Sequence, residues 1–132
     1  MSNWYDRQGQ PISTEDAAPL LATPSYKRVA FTEVTSASDP AIKYRISTVW
    51  LGLDHSHSSR DVEPPIIFET MVFADEPDPE RYQGVSKPDP AWTDMLCRRY
   101  TNELDAQLGH EETVIIVAAT VPDEQITNPA PA

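Results

Sequence analysis

Asp54, His55, Glu69 and His110 are residue types from which a mixed nitrogen–oxygen metal centre is built. Asp54 and His55 close one apolar run, Glu69 sits within a second, and His110 lies near the C-terminal end. A strand-end Asp-His pair facing a Glu on the adjacent strand, with a histidine from a helix, would hold a divalent metal with one position open. Water bound there would become a nucleophile. The competing reading is structural. Asp54-His55-Ser56-His57 is not a recognised metal motif, and aspartates in turns commonly accept hydrogen bonds from nearby backbone amides. The favoured expectation is therefore a chain with no cofactor, and metal-dependent catalysis or small-ligand binding is the alternative.

Other nucleophiles have less behind them. Cys97 is the single cysteine, so an intrachain disulfide and a thiolate-rich zinc site are both excluded. Arg98 and Arg99 beside it would lower a thiol pKa, yet a lone small cysteine in a strand is more simply a packed side chain. No Gly-Xaa-Ser-Xaa-Gly elbow occurs, and none of the four glycines belongs to a phosphate-cradling loop.

Charge and aromatic residues point toward binding. Ten cationic against 21 acidic side chains give a net charge of −11, which opposes direct nucleic-acid binding because that requires Lys and Arg to displace counterions from phosphates. The acids concentrate between Asp54 and Asp94, where the only cations are Arg60, Arg81 and Lys87. Asp75, Glu76, Asp78 and Glu80 would steer a basic partner toward that loop, against the plainer reading of a solvated face. Trp4 and Trp92 fall in expected loops, where tryptophan often anchors an interface or else caps a sheet end.

The elements that must position these residues follow from periodicity. A chain of 132 residues is one domain. Ser13 with Asp16 three residues on predicts a short helix start, broken at Thr23-Pro24. Alternation predicts a strand over Arg28–Thr35, with Val29 and Phe31 on one face and Ala30, Thr32 and Val34 on the other. The run Ile42–Leu53 and its partner Ile66–Phe73 predict a hairpin-like pair around the loop Asp54–Pro65, with Pro64-Pro65 confined to the second strand's entry. Ala74–Asp94 reads as a long loop and Met95–Tyr100 as a short strand. Thr101 is the expected N-cap of a helix over Asn102–Ala119, in which Leu104, Leu108, Ile115 and Ala119 keep helical spacing. The β-branched run Thr113–Val117 leaves a strand as the alternative there. Gly109 costs such a helix about 1 kcal/mol relative to alanine. The expected architecture is α+β: an antiparallel sheet of three to five strands with the C-terminal helix on one face. The domain spans residues 1–121, and 122–132 form a polar, proline-rich disordered tail. No stretch approaches the roughly 20 apolar residues of a membrane span, and Met1–Asp6 lacks a basic-then-apolar signal.

The segments Trp4–Ser13, Tyr26–Ala30, Ser47–His55, Pro64–Phe73 and Arg99-Tyr100-Thr101 with Gly109-His110 resemble a family of small proteins encoded by bacteriophages and prophages. The similarity covers most of residues 4–73 and thins between 98 and 110. The chain departs from the family pattern in residues 57–63, where relatives have a short glycine-rich connection, and in the longer, more acidic loop from Asp75 to Trp92. The resemblance implies phage origin and expression in the cytoplasm of a bacterial host, but it supplies no activity. With the charge pattern, it leads to the expectation of a non-enzymatic accessory protein that binds a host protein. Such a protein would inhibit a nucleic-acid-binding or defence factor by presenting carboxylates where phosphates would sit. A minor virion component is the remaining alternative.

Overall fold

The computed structural model describes residues 4–54, 64–74, 87–88 and 97–128. The chain begins with a two-stranded unit, β1 (Trp4–Tyr5) against β2 (Pro11–Ile12), then α1 (Thr14–Leu21) and the single turn α2 (Pro24–Lys27). Ser13 caps α1 as its spacing predicts, its hydroxyl accepting from the Asp16 amide at 3.0 Å. Thr23-Pro24 does end that helix, but it also starts the next turn, because the fixed φ of proline suits the first helical position.

Three long strands form the body of the sheet: β3 (Arg28–Ser36), β4 (Lys43–Trp50) and β5 (Phe68–Ala74), each antiparallel to the next. Two short segments, β6 (Lys87–Pro88) and β7 (Arg98–Tyr100), pair with opposite ends of β5 on its free side. Alternation along the strands sends Thr32, Val34 and Ser36, Ile46, Thr48 and Trp50, and Phe68, Thr70 and Val72 to one buried face. Glu33, Arg45, Ser47, Glu69 and Met71 lie on the other, half-buried face. At the end of β4 the chain turns at Gly52, whose φ of +82° suits glycine. A side chain there would also press on the Trp4 and Trp50 rings, 2.9 and 3.1 Å from its Cβ.

The C-terminal helix α3 (Glu103–Ala118) covers the buried face. Its N-cap is Asn102 rather than Thr101: the Asn102 side chain accepts from the Asp105 amide at 2.8 Å. The β-branched run from Thr113 to Val117 is helical. Thr113 hands its hydroxyl proton back to the Gly109 carbonyl at 2.7 Å, and Val114 and Val117 pack on the sheet, so tertiary packing overrides strand propensity. Two apolar clusters result. Val34, Ile46 and Val72 meet Val114, Val117, Ala118 and Val121 at one end. Trp50, Ile67, Phe68 and Ala106 meet at the other. Arg7 ties the N-terminal unit to this body, donating to Glu103 at 2.6 Å and to the Tyr26 carbonyl at 3.1 Å.

The expected disordered tail is corrected in part. Glu124–Thr127 is a further strand, β8, antiparallel to Glu33–Ser36 of β3. The Ser36 hydroxyl donates to the Pro122 carbonyl at 2.5 Å and the Ala37 amide to the Asp123 carbonyl at 3.0 Å, fixing the return from α3. Polar composition hid this strand, because an edge strand need bury little of its own surface when a sheet edge supplies its backbone partners. The sheet order β6-β5-β4-β3-β8 with α3 on one face makes the fold α+β.

Candidate functional site

The structure separates the residues that a metal site would need. The Asp54 carboxylate accepts from the Ile66 amide at 2.9 Å, so it closes the loop between β4 and β5. Glu69 accepts from Arg99 at 2.9 Å across the β5–β7 pair. His110 sits on α3, against the opposite face of the sheet from Glu69, so the two cannot share one ion. His55 lies outside the described residues. Among the described residues, no three His, Cys, Asp or Glu side chains converge as a metal would require.

His110 instead anchors a buried polar row between the two apolar clusters. Its Nδ1 meets the Thr48 hydroxyl at 2.7 Å and its Nε2 the Thr32 hydroxyl at 2.8 Å. The Thr48 and Thr70 hydroxyls are 2.5 Å apart, and Thr32 donates to the Asn128 Oδ1 at 2.7 Å. Because Thr32 has given its one proton to Asn128, it accepts from His110, which places the ring proton on Nε2. Nδ1 then accepts from Thr48, and Thr48 accepts from Thr70. Every hydroxyl in the row donates once, and the direction of the chain is set by Asn128 at its end. Burial pushes the His110 pKa down to about 4, so the ring is neutral near pH 7 and both nitrogens are engaged. A base or ligand role would require this row to open. The sequence does not single out Thr32, Thr48, Thr70 or Asn128, since threonine in a strand is ordinary. The inward placement of Thr32, Thr48 and Thr70 on three adjacent strands was the available signal.

Cys97 is half-buried, its thiol donating to the Met71 sulfur at 3.9 Å. Burial, seconded by the Glu69 carboxylate, pushes the thiol pKa up despite Arg99, opposite to what a nucleophile needs. Trp4 packs over Gly52 and bridges to Leu53 through its backbone, so it caps the sheet end. Asp75, Glu76, Asp78, Glu80 and Trp92 lie outside the described residues.

The most unusual surface is on α3. Leu104, Leu108 and Ile115, whose spacing points to a helix, lie on its outer side and are 65, 55 and 68% exposed. The side toward the sheet carries Ala106, Gly109, His110, Thr113 and Val117 instead. The small residues let the helix approach closely. At Gly109 an added Cβ would lie inside the Tyr100 ring and hydroxyl. The outer stripe runs beside a groove of about 660 Å³ between α3, β3 and β8, walled by Val29, Phe31, Val114, Ile115 and Ile126, with Arg28 and Glu111 and the polar row's Thr32, His110 and Asn128 also lining it. Ile115 belongs to both stripe and groove. No described helix is long and apolar enough to cross a membrane.

The chain matches no family model, no curated protein and no solved structure.

Proposed function

We propose that this protein is a non-enzymatic accessory protein of bacteriophage origin that binds a protein of its bacterial host through the outer side of α3. The observation that carries the reading is the exposed stripe of Leu104, Leu108 and Ile115 on a helix whose other side already packs on the sheet. A surface helix ordinarily turns polar residues to water, so large apolar side chains aligned on its exposed face point to an interaction site. Three of the side chains suited to chemistry have structural work: Asp54 caps a loop, Glu69 pairs with Arg99, and His110 is locked between two threonines. The net charge of −11 favours a partner with a basic surface, such as a nucleic-acid-binding or defence factor.

A photo-crosslinking side chain at position 108, in protein exposed to bacterial lysate, tests this. The expected result is crosslinking to a discrete host protein that is lost in Leu104→Glu/Ile115→Glu. Capture that is indifferent to those substitutions, or no crosslink at position 108, overturns the reading.

A further inference from the structure

Resting on that protein-binding reading, we infer that the partner's contact segment is a basic amphipathic helix. It lies along Leu104, Leu108 and Ile115 and inserts one bulky apolar side chain into the groove between α3 and β3. The groove is lined on the β3 side by Arg28, stacked on the Phe31 ring at 4.8 Å, and the charge of α3 along the stripe names the partner's. Between Glu103 and Ala118, α3 carries Glu103, Asp105, Glu111 and Glu112 and no lysine or arginine. Arg7 answers Glu103 and Arg98 answers Glu112, while Glu111, on the groove side of the stripe, has no ion pair among the described residues. A lysine or arginine flanking the partner's apolar stripe would meet Glu111 as it docks. The same charges oppose a second copy of this chain, because two molecules of net charge −11 would set these acids against each other.

Geometry favours a helix over an extended strand. The stripe repeats at four and seven residues and is about 16 Å long at 1.5 Å per residue, a match for the ridges of another helix. The nearby β3 edge is less suited to adding a strand, since its register shifts between Arg28 and Ala30 and such a bulge turns an edge away from pairing. The groove supplies the anchor. Its Val29, Phe31, Val114, Ile115 and Ile126 walls give a large apolar side chain contact beside the polar lining of Thr32, His110 and Asn128, and such a side chain is the kind of buried residue on which interface affinity concentrates.

The probe is a synthetic Lys/Leu helix with 5-fluorotryptophan at one apolar position. One control has the same composition scrambled so that the leucines no longer align, and a second replaces lysine by glutamate. The aligned basic peptide should shift amide resonances along 104–115 and 28–32, bind at least tenfold more tightly than the scrambled one, and lose tenfold in Leu108→Glu/Ile115→Glu. Ile126→Asp, at an exposed edge position, should abolish the fluorine shift of the anchored ring. Equal binding of aligned and scrambled peptides, preference for the acidic peptide, or shifts spread over the whole surface overturns the inference. If position 108 still crosslinks to a host protein in lysate while the aligned peptide fails, the partner chemistry alone is wrong. If neither result appears, the protein-binding reading falls with it.

Discussion

At the scale of single residues, the chain shows how far residue type can mislead about chemistry. His110 is identifiable from sequence as a residue of consequence, but its partners are hydroxyls rather than carboxylates. No spacing rule places Thr32, Thr48 and Thr70 beneath it, because that placement depends on strand register. The folded ring holds its pKa near 4 against an ordinary value of 6.5, so the unfolded chain binds more protons between those values. Stability from this group is complete above about pH 6.5 and declines as pH falls toward 4, by on the order of 3 kcal/mol in total. Chemical denaturation across that range should show the decline, and an NMR titration should find the His110 ring neutral down to about pH 4. Titration near 6.5 would disprove the buried row. Deleting hydroxyls should follow an order. Thr48→Val strands both His110 Nδ1 and the Thr70 hydroxyl, whereas Thr32→Val strands only the His110 Nε2 proton, because Asn128 is exposed and can turn to water. Each buried orphan costs about 1–3 kcal/mol, so urea midpoints should fall further for Thr48→Val.

At the scale of elements, the strand pair around residues 43–74 was legible because its alternation and β-branched content agree with its burial. Helix α3 was legible in extent but not in orientation. Its apolar spacing is real, yet Leu104, Leu108 and Ile115 form an outward stripe, while the packed side mixes Val114, Val117 and Ala118 with Gly109, His110 and Thr113. Periodicity reports that an apolar face exists; it does not report which face meets the sheet. Gly109 shows the same inversion. Propensity alone predicts that alanine there would add about 1 kcal/mol, but the Cβ would collide with Tyr100. Gly109→Ala should therefore destabilise the protein by about 1–3 kcal/mol, the usual range for overpacking, and a higher melting temperature would contradict the contact. The outward stripe should behave in the opposite manner. Leu104→Glu and Leu108→Glu should each change unfolding free energy by less than about 0.5 kcal/mol, as exposed positions do, while removing partner capture.

At the scale of the whole molecule, local sequence carried the α+β class because the longest runs dominate it, whereas the C-terminal strand depends on an edge formed by residues far earlier in the chain. Glu124–Thr127 is exposed and, apart from Ile126, polar, with little in its own composition to hold it. Pairing to Glu33–Ser36, the Ser36 bond to Pro122 and the Thr32 bond to Asn128 hold it instead. Ending the chain at Val121 would remove all three, leaving the β3 edge unpaired along its full length and Thr32 without its terminal acceptor. An unpaired edge of that length is a template for another strand. The truncated protein should melt at lower temperature and associate in a concentration-dependent way, visible by light scattering. Asn128→Ala in the full chain should remove only the side-chain latch and remain at the mass of the parent. A truncated chain with the parent's melting temperature and mass would mean that β8 does not close the sheet.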